Sequence, residues 1–174
     1  HSNKSERKTR WDLIAVESGG QIVNIDSQAP NRVFEEWARG GGFLPELSLL
    51  RPETTYRNSR FDFYWESSAE RGFVEVKGVT LEEDGVVRFP DAPTLRGVKH
   101  LQELEEARRA GYRTAVCFVI QMENVSWFEP NDRTHPAFGA ALRYAAEAGV
   151  EVLAMECRVT PEELLPGRPV PVRL

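Results

Sequence analysis

Two strand-like segments of this chain carry an acid, a second acid and a lysine in a fixed order. The first reads Arg60-Phe61-Asp62-Phe63-Tyr64-Trp65 and the second Gly72-Phe73-Val74-Glu75-Val76-Lys77. Side chains alternate across a strand, so Glu75 and Lys77 share one face while Val74 and Val76 share the other. The polar stretch 66–71 ends at Gly72 and reads as a hairpin loop. A symmetric loop sets Asp62 directly across from Glu75. Facing carboxylates repel unless a cation lies between them. A divalent cation held by this pair, with Lys77 beside it, is equipment for cutting a phosphodiester bond. Val-Glu-Val-Lys taken alone also describes any half-exposed strand, so the weight falls on what flanks the pair.

Three elements have to position these side chains. Residues 30–39 read as a short helix, opened by Pro30 and stopped by Gly40-Gly41-Gly42, with Val33, Phe34, Trp37 and Ala38 on one apolar stripe. Glu36 lies on the flank of that stripe; alone it would be an ordinary solvated glutamate. Residues 94–110 read as a second helix, on which Arg96 and Lys99 fall within roughly 60° of each other. Leu101 and Leu104 occupy another side, and Glu103, four residues after Lys99, partly neutralises the two bases. Such a face is usually just the wet side of a helix, but its first turns follow the strands closely enough to meet a phosphate backbone. Residues 112–121 form the most hydrophobic run and read as a central strand buried on both faces.

The remaining elements complete a mixed α/β sheet with helices packed on it. Strands are expected at 11–16, 22–25, 86–89 and 150–159, with a last helix at 136–148; residues 44–52 are ambiguous. Residues 1–10 are a loose lead-in or processing remnant, 11–160 the α/β domain, and 161–174, with four prolines, an extended wrap or linker. A chain of 174 residues is most simply one domain with a substantial core. Its longest apolar runs are strand-sized, so no membrane partner is expected. Cys117 and Cys157 sit in apolar runs and read as buried free thiols of a reducing, cytoplasmic protein. Three histidines without close Cys/His spacing argue against zinc. Twenty-two basic residues against 27 acidic ones give a net charge of −5, which counts against a protein that coats itself in nucleic acid. The basic residues can still be gathered on one surface.

The stretches Ala29-Pro30-Asn31-Arg32, Ser59-Arg60-Phe61-Asp62-Phe63, Val74-Glu75-Val76-Lys77-Gly78-Val79-Thr80-Leu81, Phe89-Pro90-Asp91-Ala92 and Arg96-Gly97-Val98-Lys99-His100-Leu101 resemble the sugar fermentation stimulation protein A family. The resemblance implies a restriction-endonuclease-like core of the PD-(D/E)XK type, an αβββαβ arrangement. It makes Asp62 and Glu75 metal ligands, Lys77 the catalytic lysine and Glu36 the acid that completes the site. The Val76 carbonyl is a third candidate ligand, Mg2+ or Mn2+ the expected cofactor, and Arg60, Arg96 and Lys99 the expected DNA contacts. Members of this family typically begin with a small OB-like barrel, which this chain is expected to lack, and usually carry serine where Gly78 stands. The functions implied are a DNA-binding, metal-dependent nuclease or a non-catalytic DNA-binding regulator of sugar metabolism genes. DNA is the expected partner, and a homodimer is admitted.

Overall fold

The computed structural model describes residues 12–174. The lead-in 1–10 and Trp11, where the first expected strand begins, lie outside the described residues. In chain order the elements are β1 (Ala15–Ser18), β2 (Gln21–Asn24), α1 (Ala29–Arg39), β3 (Leu47–Tyr56), β4 (Ser59–Ser67), β5 (Arg71–Val79), β6 (Leu81–Glu83), β7 (Val86–Phe89), α2 (Leu95–Arg109), β8 (Arg113–Ile120), β9 (Trp127–Pro130), α3 (Pro136–Glu147), β10 (Glu151–Val159) and β11 (Leu164–Pro169).

Six strands make the central sheet, in the order β11-β10-β8-β5-β4-β3. The β8 strand runs parallel to both β5 and β10, and the other neighbours are antiparallel. The two parallel steps are the crossovers β5-α2-β8 and β8-α3-β10, which place both helices on one face. Leu101 and Leu104 of α2 and Phe138 and Leu142 of α3 pack there against Phe73, Val116, Phe118 and Ile120. On the other face Val33, Phe34 and Ala38 of α1 pack against Val74, Val76, Cys117 and Val119. Because β8 is covered on both sides, only Arg113 at its start escapes full burial, as its unbroken apolar sequence requires. Both cysteines are free and buried, and burial raises the pKa of each thiol, Cys157 to about 12.

Three features differ from the expected arrangement. The ambiguous segment 44–52 contributes β3, the edge strand that pairs with β4 from Leu47↔Ser67 to Tyr56↔Ser59. Pro52 is tolerated there because an edge strand needs ladder bonds on one side only. The strand at 86–89 leaves the main sheet and joins β6 and β9 in a separate three-stranded sheet, so the three antiparallel strands after α1 are β3, β4 and β5. Finally, the proline-rich tail is built into the domain. Its β11 pairs with β10, and Val172 bridges to Phe128. No helix among the described residues is long and apolar enough to cross a membrane.

Candidate active site

The β4–β5 hairpin pairs Trp65 with Gly72 and Phe63 with Val74. One further step in this register sets Asp62 opposite Glu75, as a symmetric loop requires. The ladder stops before that step. Instead of a backbone carbonyl, the Asp62 carboxylate takes the Val76 N–H, Oδ2 accepting at 2.8 Å. Its Oδ1 accepts from Asn31 Nδ2 at 3.2 Å, so α1 and β5 hold Asp62 between them. The core neighbours change sides at this point: Phe61 belongs to the α2–α3 side and Phe63 to the α1 side. Asp62 sits at that switch, half-buried. Burial and the nearby Glu75 charge raise its pKa, against the opposing pull of the Val76 N–H, Asn31 and Lys77.

Glu75 points to the α2 side, and its side chain is 3% exposed. Lys77 Nζ donates to Oε1 at 2.7 Å, and His100 Nδ1 closes on the same oxygen. Arg96 Nε donates to His100 Nε2 at 3.2 Å. That nitrogen is therefore an acceptor and Nδ1 carries the proton, donated to Glu75. Burial pushes the Glu75 pKa up, but the His100 hydrogen bond and the Lys77 charge outweigh it and hold the carboxyl below its usual range. The second oxygen, Oε2, is buried and has no hydrogen-bond partner. A buried carboxylate oxygen without a donor costs free energy.

Two acids in electrostatic contact, one destabilised as an anion and the other with an unpartnered buried oxygen, make a set of hard oxygen donors. Hard oxygen donors suit Mg2+, Mn2+ or Ca2+, so the residues fit a divalent ion completed by water. Among the described residues no three His, Cys, Asp or Glu side chains converge into a ready-made cage. The fit is therefore that of a two-carboxylate site.

The other expected residues are distributed unevenly. Val76 gives its N–H to Asp62 and buries its side chain against α1. Arg96 reaches the cluster through His100. Lys99 turns outward, pairs with Glu103 at 3.3 Å and lines a cleft between α2 and the turn at Arg57 and Asn58. Arg60 is exposed and pairs with Glu53 at 3.2 Å. Glu36 is not brought to the acids. It lies about 140° round the helix from Asn31 and lines a different cleft, with Arg32, Asp26 and residues 160–164. Two residues with no role assigned from the sequence join the cluster: Asn31 and His100. The one sequence signal for His100 is its place a helical turn beyond Arg96, which by itself marks no role.

Gly78, next after Lys77, has a steric reason to be glycine. A Cβ there would stand 2.6 Å from Gln121 Oε1 and 2.7 Å from Pro30 Cγ, in the first turn of α1. Gln121 cannot move freely, because its Nε2 donates to Asn24 Oδ1 at 2.8 Å and to the Asp26 carbonyl at 3.2 Å.

Known proteins are similar to this chain in sequence and fold. The family described as the sugar fermentation stimulation protein RE domain matches residues 28–163. The sugar fermentation stimulation protein homolog of Desulfitobacterium hafniense is 54% identical over 168 residues, which cover 97% of this chain and 73% of the relative. The homolog from Clostridium beijerinckii is 49% identical over 163 residues, covering 94% and 72%. A solved structure of Pyrococcus furiosus SfsA in complex with Ca2+ superposes with a TM-score of 0.90 at 30% identity, over 99% of this chain and 76% of that one. The chain belongs to the sugar fermentation stimulation protein family, and its nuclease-like fold is the RE domain of that family.

Proposed function

We propose that this chain binds DNA and hydrolyses phosphodiester bonds at a divalent-cation site formed by Asp62 and Glu75, with Lys77 as the catalytic cation. The observation that carries the reading is the bare, buried Oε2 of Glu75 beside a second carboxylate that its charge disfavours. A binding surface for phosphate gains nothing from two such acids. The related Pyrococcus protein was solved with Ca2+, a cation with the same preference for oxygen. Bound at this pair, Mg2+ or Mn2+ supplies Lewis-acid activation of water and charge stabilisation at the scissile phosphate.

The protein's own groups supply the rest. The Val76 N–H and Asn31 fix the Asp62 carboxylate from opposite sides. Glu75 holds Lys77 Nζ in place, a preorganised positive charge for the phosphate oxygens as their charge grows. Arg96 is exposed and tethered through Nε, leaving the guanidinium fork to meet a neighbouring phosphate. Lys99 and Arg57 continue that basic edge along a cleft that Glu103 and Glu106 also line. With so few cations on the path, DNA is held weakly.

Supercoiled, linear duplex and single-stranded DNA incubated with the chain in Mn2+, in Mg2+ and in EDTA test this reading. Cleavage with either metal and none in EDTA is expected. DNA binding with no cleavage of any form would overturn it and leave a non-catalytic regulator of sugar metabolism genes.

A further inference from the structure

We infer that His100 is a positioning residue for the metal carboxylate: it pins Oε1 of Glu75 so that Oε2 is presented to the cation, and it ties that carboxylate to the phosphate-gripping Arg96. The inference rests on the proposed divalent site. Four facts support it. His100 is buried, 9% exposed, on the α2 face turned to the sheet. Its Nδ1–H is directed at Glu75 Oε1, the oxygen that also accepts from Lys77 Nζ at 2.7 Å. Its Nε2 accepts from Arg96 Nε, which fixes both tautomer and ring plane. The other Glu75 oxygen is left bare. A carboxylate has one rotational freedom about its last bond, and two donors on one oxygen remove it. Partners that orient a metal ligand in this way typically account for about 10–100-fold in metal affinity or activity.

The chain Arg96–His100–Glu75 also has a consequence for DNA. A phosphate drawn to Arg96 and the cation drawn to Glu75 are held by two ends of one hydrogen-bonded unit. The basic first turn of α2 is thereby registered to the metal carboxylate, not merely placed near it. Thr94 caps that turn, its hydroxyl accepting from the Gly97 N–H at 2.9 Å, which keeps Arg96 and His100 in register.

Mn2+ binding measured by titration calorimetry on the full chain and three variants tests the role without any cleavage readout. The His100→Leu substitution removes both hydrogen bonds at similar volume and is expected to weaken Mn2+ binding about tenfold or more. In His100→Asn the amide nitrogen takes the place of Nδ1, so most of the affinity is expected to return. In His100→Gln the amide nitrogen reaches the Nε2 position instead, and little is expected to return. The Asn and Gln pair decides the matter even if the Leu variant fails to fold, because both keep a polar side chain under α2. Equal Mn2+ affinity in wild type and the folded variants would overturn the role of His100 alone. Wild type that binds no Mn2+ would overturn the site itself, and this role with it.

Discussion

Replacing Asp62 by asparagine should stabilise the protein without metal and destabilise it, relative to wild type, with metal. The wild-type carboxylate accepts two hydrogen bonds, at 2.8 Å from the Val76 N–H and 3.2 Å from Asn31. Asparagine keeps both: its oxygen faces Val76, and the Asn31 amide turns to accept from its nitrogen. What is lost is the half-buried Asp62 charge facing Glu75; burial is the chief cause of the raised Asp62 pKa. A carboxyl with a raised folded pKa favours folding fully below its unfolded value and loses that contribution as pH rises through the folded value. The advantage of Asp62→Asn is therefore absent below about pH 3.9 and grows as pH rises through the raised folded value. Asp62→Ala separates the charge from the hydrogen bonds. It strands the N–H of buried Val76, at about 1–3 kcal/mol, and should melt below Asp62→Asn by about 2–4 °C per kcal/mol. Mn2+ at a hundredfold over its Kd should add about 2.7 kcal/mol to wild type and nothing to either variant, reversing the order. Melting curves at pH 7, with EDTA and with Mn2+, provide the assay. An Asp62→Asn protein that melts below wild type in EDTA, or that gains as much from Mn2+, would refute the reasoning.

Gly78→Ser should cost about 1–3 kcal/mol by overpacking, since its Cβ meets Pro30 and a doubly hydrogen-bonded Gln121; denaturant midpoints check this. As pH falls, Glu75 should lose stabilising power, because its depressed pKa favours folding above about pH 4.3 and fails below the folded value; Glu75→Gln should flatten the acid limb of the stability curve in EDTA. Arg96→Ala should lower DNA affinity and reduce the log–log salt slope by about one unit, whereas Lys99→Ala, already paired with Glu103, should change the slope less; fluorescence anisotropy between 50 and 200 mM salt, of order the range where such slopes are read, separates them.

The centre of the fold was legible in the sequence and its edges were not. The hairpin register, the two helices that flank it and the doubly buried β8 follow from alternation and apolar runs, which act locally and strongly. The β3 strand escaped because it is an edge: it carries Pro52, its Glu53 takes a positive φ of 51°, and only one of its ten residues, Leu50, is buried. Val86–Phe89 reads as a strand and is one, but pairing partners are set by tertiary packing, which no local pattern records. At the site, the acids stand out because the hairpin register sets two carboxylates against each other, a local conflict an ordinary strand pair avoids. His100 and Asn31 do not, because a histidine or asparagine on a helix is unremarkable until the sheet beneath it is known. Glu36 shows the converse: a plausible acid on the right helix, turned toward a different cleft.

The most direct test of the central claim is cleavage of plain DNA in Mn2+ by wild type, Lys77→Ala and Asp62→Asn, with Mn2+ affinity measured on the same preparations. Lys77→Ala leaves Asp62 and Glu75 in place, so Mn2+ binding should persist or tighten as a competing charge on Oε1 disappears. Cleavage should nonetheless fall by about 10²–10³, the scale of losing one preorganised group at a developing charge. Asp62→Asn should lose both. Lys77→Ala cutting as fast as wild type would contradict the role of the lysine, and Asp62→Asn cutting as fast would contradict the site.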